Sequence, residues 1–165
     1  MTAQTLRFDD VEALRARIGE DFSPWGPQLE VSQDMIDRFA ELTGDRQWIH
    51  TDVERARRES PYKTTIAHGF LLLSLLPVLR QRVDLQITGH AQAIHYGADR
   101  VRFMAPVPAG SRVHARARIT AVETRPTGTL VTEEIQLAVV GQDKPALSYT
   151  MLVLYQAPSP VRTQA

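Results

Sequence analysis

The sequence predicts an α+β domain in which four or five antiparallel strands curl around one buried helix. Three observations predict it. Apolar residues recur at helical spacing in the first half of the chain and alternate in the second. The stretch Phe70–Arg82 is apolar on nearly every side, which a surface helix would not be. The strand-like stretches follow one another through short turn segments, so they pair as an antiparallel meander.

Each element has a local reason. Val11, Leu14 and Ile18 mark a first helix, which Gly19 can end. Ser23-Pro24-Trp25-Gly26-Pro27 is turn material, and a short strand, Gln28–Val31, follows it. Ser32 is placed to cap the next helix, whose apolar stripe is Met35, Ile36, Phe39 and Leu42. Gly44 sits where a left-handed terminating glycine belongs. Asp52 can cap a short helix, Val53–Glu59, which Ser60-Pro61 stops. Pro77 predicts a kink or early end within Phe70–Arg82. Strands are expected over Ala91–Met104, Arg112–Glu123, Thr129–Val140 and Ala146–Tyr155. In the second of these, Arg112, His114, Arg116 and Arg118 alternate with Val113, Ala115, Ala117 and Ile119, which predicts one wet face and one packed face. The domain is expected to run over residues 1–157, with 158–165 a frayed tail.

Composition narrows the function. The 165 residues suffice for one domain with a proper core, and the formal net charge is zero. A nucleic-acid binder would show a basic excess, so no nucleic-acid partner is expected. With no cysteine, disulfides, thiolate zinc sites and cysteine nucleophiles are excluded. The apolar run from Phe70 to Leu79 is far shorter than the roughly 20 residues that span a bilayer. The first residues show no basic and apolar export signal. A cytoplasmic protein without a membrane partner is the expectation.

Two short motifs can carry chemistry. Asp45 and His50 are five residues apart. On a continuous helix that spacing would leave them about 140° apart. They converge only if Gly44 ends the helix and the chain turns. Once together, a carboxylate beside an imidazole can raise its pKa, fix its tautomer and hold a water between them. Ile66-Ala67-His68-Gly69-Phe70 puts a glycine in the first turn of the apolar helix. There an amide is free, a ligand can approach the backbone closely, and the helix dipole favours a developing negative oxygen. The residues alone leave blander readings open: a helix-ending Asp with a surface His, and a Gly69 and His68 that serve packing. Asp45, His50, Asp52 and His68 match no standard metal spacing, so no metal is expected. Ser74 lacks a nucleophile elbow. His95-Tyr96 lies within a strand, where packing or a structural hydrogen bond is expected.

The combination Phe39-Ala40-Glu41-Leu42-Thr43-Gly44-Asp45, then His50 and Asp52, then Ile66-Ala67-His68-Gly69-Phe70-Leu71, closely resembles the MaoC-like dehydratases, or R-specific enoyl-CoA hydratases. Tyr96-Gly97 and Val101-Arg102-Phe103-Met104-Ala105-Pro106-Val107-Pro108-Ala109-Gly110 are similar to that family's next strand. The similarity runs in order from about Ser32 to Val122. Gln47-Trp48 stands where the common motif has Asn-Pro, which resembles the branch that includes nodulation-protein-N-like members. His95 stands where relatives often have Asn.

The resemblance implies a hotdog fold, with the sheet wrapped around a long central helix, and a homodimer with active sites near the interface. It implies reversible syn hydration of a trans-2-enoyl thioester of CoA or of an acyl-carrier protein, giving the (3R)-3-hydroxyacyl thioester. The family's catalytic Asp and His match Asp45 and His50. Gly69 N–H is implied as the oxyanion donor, with His68 beside it in the substrate-binding set. No cofactor is implied beyond the thioester carrier of the substrate. A thioesterase on the same fold and a non-catalytic acyl-thioester-binding protein are the competing readings.

Overall fold

The computed structural model describes residues 3–80, 84–142 and 144–157. The expected tail, 158–165, the end of the apolar helix at Arg82 and part of the turn at 141–144 therefore lie outside the described residues.

The main sheet has five strands: β2 (Leu29–Val31), β4 (Gln92–Phe103), β5 (Ser111–Arg125), β6 (Gly128–Val139) and β7 (Leu147–Gln156). Their order is β2-β5-β6-β7-β4, antiparallel throughout. The four long strands fall within two residues of the expected bounds at each end. Two further strands carry no clear sequence signal. β1 (Gln4–Arg7) and β3 (Leu85–Thr88) form a separate parallel pair. Each has only four residues, so neither shows a usable alternation; they find each other only once the chain is folded.

The helices start and stop where their caps dictate. Asp10 accepts from Ala13 N at α1 (Val11–Arg15), Ser32 from Met35 N at α2 (Gln33–Thr43), and Asp52 from Arg55 N at α4 (Val53–Glu59). Gly44 ends α2 in the left-handed region, at φ 79°. Between α2 and α4 lies a single turn, α3 (Trp48–Thr51). Ile36 and Ala40 of α2 are buried, but Leu42 is 83% exposed. The expected stripe thus ends one turn early.

The apolar helix is not continuous. It is α5 (Gly69–Ser74) followed by α6 (Leu76–Leu79), joined at Leu75, which remains right-handed. Pro77 lies in the first turn of α6, where its missing N–H breaks no intrahelical bond. Nor is the pair buried all round. Leu71, Leu72, Leu76 and Leu79 are buried, while Phe70 is 65% and Val78 50% exposed. The sheet covers one side of the helix, and among the described residues the other side stays open at Phe70 and Val78.

The buried side faces alternate positions of the strands: Val113, Ala115, Ala117 and Ile119 of β5, Val131, Ile135 and Leu137 of β6, and Leu147, Tyr149, Met151 and Val153 of β7. Glu133 occupies the same inward row and forms an ion pair with Arg80, at 3.1 Å. The outer row of β5 is less wet than its charges suggest. Trp25 stacks on His114 at 3.9 Å, and Arg116 lies over the rings of Trp25 and Phe22.

Gly26 sets how closely this outer segment approaches the core. Its N–H donates to Ala115 O at 2.8 Å. A Cβ there would overlap the Leu79 carbonyl oxygen, a backbone atom that cannot swing aside. We predict that Gly26→Ala destabilises the fold by about 1–3 kcal/mol, the range for overpacking. Denaturant unfolding of the two proteins checks this, and an unchanged midpoint would contradict it.

Candidate active site

Local geometry brings Asp45 and His50 together. The left-handed Gly44 turns the chain out of α2, and Gln47 N–H donates to Asp45 Oδ1 at 3.4 Å, which tightens the following turn. α3 then presents His50, which is 8% exposed. Asp45 stays at the surface, its side chain 57% exposed.

The tautomer of His50 follows from its partner. Its Nδ1 is 2.6 Å from Ile66 O, which can only accept. Nδ1 therefore carries the hydrogen, and Nε2 presents a lone pair. The backbone of α3 is fixed from below: Gln33 Nε2 donates to both His50 O and Asp37 Oδ1, each at 2.8 Å, and Thr65 Oγ1 donates to Gln33 Oε1.

Burial pushes the His50 pKa below the ordinary imidazole value. The hydrogen bond to Ile66 opposes that shift, proximity to His68 adds to it, and Asp45 pulls weakly upward. The neighbouring carboxylate thus acts in the expected direction, but it does not set the net shift. Asp45 is too exposed for its charge to outweigh the desolvation of the ring.

His68 lies behind the pair. It is 3% exposed, stacks on His50 with ring centroids 3.8 Å apart, and its Nε2 is 2.9 Å from Asp45 O. It does not border the cavity described next, so the geometry does not support its expected contact with substrate; Gly69 makes that wall instead.

A cavity of about 490 Å³ opens beside His50. His50, Gly69, Tyr62, Phe70, Phe103 and Met104 are among the residues that line it. The volume suits a small-molecule site with apolar walls and few polar groups. Gly69 is the first residue of α5, where an amide has no intrahelical acceptor. A Cβ on Gly69 would come 2.8 Å from the Phe103 ring, so the glycine also lets the strand end close over the helix start.

Asp45, His50 and His68 each bring one ligating atom within 4.8 Å of the others. That spread suits a bridging water, since two ~2.8 Å hydrogen bonds at a tetrahedral angle span roughly 4.6 Å.

The remaining candidates separate from this site. Asp52 caps α4. Ser74 Oγ donates to Phe70 O. His95 Nε2 is 2.9 Å from Tyr149 Oη, the structural hydrogen bond expected of it, whereas Tyr96 is 62% exposed and takes no part in the core. Reading by residue type missed Gln33, Thr65 and most of the cavity wall. Gln33 reaches Thr65 across 32 positions, which no local pattern reveals. Phe103-Met104 did leave a trace: two adjacent large apolar residues break the alternation at the end of β4.

Comparison with known proteins places the chain in a family. A family profile described as "MaoC like domain" matches residues 16–140. The 3-hydroxyacyl-thioester dehydratase Z of Mycobacterium tuberculosis is 42% identical over 153 residues, covering 91% of this chain and 98% of that protein. Nodulation protein N of Rhizobium leguminosarum is 40% identical over 144 residues, covering 86% and 88%. The unliganded R-hydratase PhaJ1 from Pseudomonas aeruginosa superposes with a TM-score of 0.66 at 20% identity, over 90% of this chain and 89% of that one, so it shares the fold.

The site geometry makes a direct prediction. His50 should titrate below the ordinary imidazole value, with the hydrogen on Nδ1 in its neutral form. Long-range proton–nitrogen correlation spectra across a pH series check both. A ring protonated at Nε2 alone would refute the arrangement.

Proposed function

The chain belongs to the MaoC-like domain family, and we propose that it catalyses reversible syn hydration of a trans-2-enoyl thioester to the (3R)-3-hydroxyacyl thioester. Its hydratase/dehydratase class accords with the 42% identity to a named 3-hydroxyacyl-thioester dehydratase over most of both chains. One observation carries the finer reading: the bare Nε2 of His50 and the backbone at Gly69 border the same apolar cavity.

In the enoyl thioester the carbonyl polarises the alkene, so water adds at C3 and charge collects on the thioester oxygen. Asp45 and His50 hold the water, and His50 Nε2 accepts its proton as the C3–O bond forms. The C2=C3 electrons move toward the carbonyl, and Gly69 N–H donates to the resulting oxyanion. The pair then returns a proton to C2 from the face that supplied the water, which makes the addition syn. A neutral imidazole suits this work, because a protonated one could not accept the proton. Apolar walls exclude bulk water and strengthen the hydrogen bond to the oxyanion. CoA or an acyl-carrier protein enters as part of the substrate.

The working form is a homodimer built on β4. The opposite side of the sheet is already covered: Gly19, Ser23 and Gly26 N–H groups donate to carbonyls of β5. Among the described residues β4 pairs on one side only, with β7, and carries Ile94, Tyr96 and Phe103 exposed. An open edge with large apolar side chains calls for a partner. Phe70 and Phe103 belong both to this exposed surface and to the cavity wall, so a second copy here would also wall the site.

Three outcomes follow. Asp45→Asn or His50→Ala should lower kcat for crotonyl-CoA by at least ~10²-fold, the scale of lost acid/base help, while the unfolding midpoint is kept. Near-parent turnover in either variant would remove the assignment, and release of free thiol without hydration would favour a thioesterase. As pH falls, kcat/KM should drop along an acid limb centred below the ordinary imidazole value, because burial keeps His50 unprotonated to lower pH. A limb at or above that value would argue against His50 as the base. Light scattering should give twice the chain mass, and a fully active monomer would count against the β4 interface.

A further inference from the structure

His68 touches both members of the acid/base pair from outside their turn. Asp45 sits on an exposed loop, where its other hydrogen bonds are local: its N–H donates to Thr43 Oγ1 and its Oδ1 accepts from Gln47 N–H, each two residues away. His68 reaches Asp45 O from 23 positions along the chain. Because a carbonyl can only accept, Nε2 of His68 carries the hydrogen that holds it. The same ring stacks on His50 at 3.8 Å and meets Phe39 of α2 at 5.1 Å. His68 is also the residue that precedes Gly69 and caps α5, so its peptide bond supplies the Gly69 N–H.

We infer that His68 is a positioning residue, which fixes Asp45 against His50 and sets both relative to the Gly69 amide through its hydrogen bond to the Asp45 carbonyl. The inference rests on the hydratase reading above. Packing alone does not account for an imidazole here. Its Nδ1 is buried and has no hydrogen-bond partner among the described residues. A phenyl ring would fill the space beside His50 and Phe39 without burying an unmatched nitrogen. What the imidazole adds is the Nε2–H. Its target is the only part of the Asp45 loop held from the core side among the hydrogen bonds of that residue. The backbone of Asp45 is tethered from the core side, while its carboxylate accepts from Gln47 N–H and lies 4.0 Å from the same His68 nitrogen.

Two variants separate the hydrogen bond from the packing. His68→Phe keeps a ring against His50 and loses the donor. His68→Gln keeps a donor and loses the ring. Misplacing a reacting group by about 1 Å can cost as much as 10²-fold. We therefore expect His68→Phe to lose roughly 10–100-fold in kcat with KM within about 2-fold, because the cavity wall is untouched. His68→Gln should recover at least about 5-fold of that loss. Should His68→Phe fail to fold, His68→Ala, which adds no atoms, replaces it with the same expectation. The inference is overturned if the folded donor-less variant keeps a kcat within about 3-fold of the parent. It is also overturned if His68→Gln is no better than that variant, or if the loss falls on KM instead of kcat. Asp45→Asn is measured alongside. If it too turns over normally, the hydratase assignment has failed; if it is inactive while His68→Phe is normal, only the positioning role has.

Discussion

The site depends on how the short extended segment Thr65–His68 satisfies its backbone. It runs between α3 and the loop after β4, and it bonds to both. Ile66 N–H donates to Ile49 O, and Ile66 O receives His50 Nδ1–H. On the other side Ala67 N–H donates to Val107 O, and Ala109 N–H donates to Thr65 O. Buried backbone groups must find partners, and here two of the four, His50 and Val107, line the cavity. The segment thereby fixes the tautomer of His50, places Gly69 at the start of α5, and ties the end of β4 down over the cavity.

The sheet gives that segment something rigid to lean on, and it does so asymmetrically. At β5 the chain spends residues 18–26 covering the strand, with Gly26 close against α6. At β4 none of the described residues pairs with the outer edge of the strand, and the exposed faces of Phe70 and Val78 lie on a helix that one sheet cannot surround. A five-stranded sheet around two short helices is thus an incomplete wrapping. Both uncovered surfaces, the strand edge and the helix side, meet near the cavity wall at Phe70 and Phe103, which stack edge to face at 5.7 Å.

Electrostatics in the site follow burial more than charge pairing. Asp45, the carboxylate that acts on His50, is exposed, and the ring itself is enclosed, so desolvation sets the direction of its pKa. The result is an imidazole with a defined tautomer beside an apolar cavity. A buried carboxylate partner would have pushed the imidazole toward its charged form.

Much of this was legible in local sequence because local physics decides it. Ser32, Asp52 and Gly44 fix helix ends within a turn of themselves, and the alternation in Arg112–Ile119 assigns the faces of β5 from neighbours two positions apart. The order Gly44, Asp45, His50, then His68, Gly69, also marked the site. Tertiary structure decided the rest. Leu42 and Phe70 are as apolar as their buried neighbours; only the position of the sheet leaves them exposed. β1 and β3 are too short to signal themselves and pair across 81 positions. Gln33, Thr65 and Phe103 join the site through contacts that no window of sequence contains. The sign of the His50 shift belongs to the same class, because desolvation depends on everything packed around the ring and not on the residue next to it in the motif.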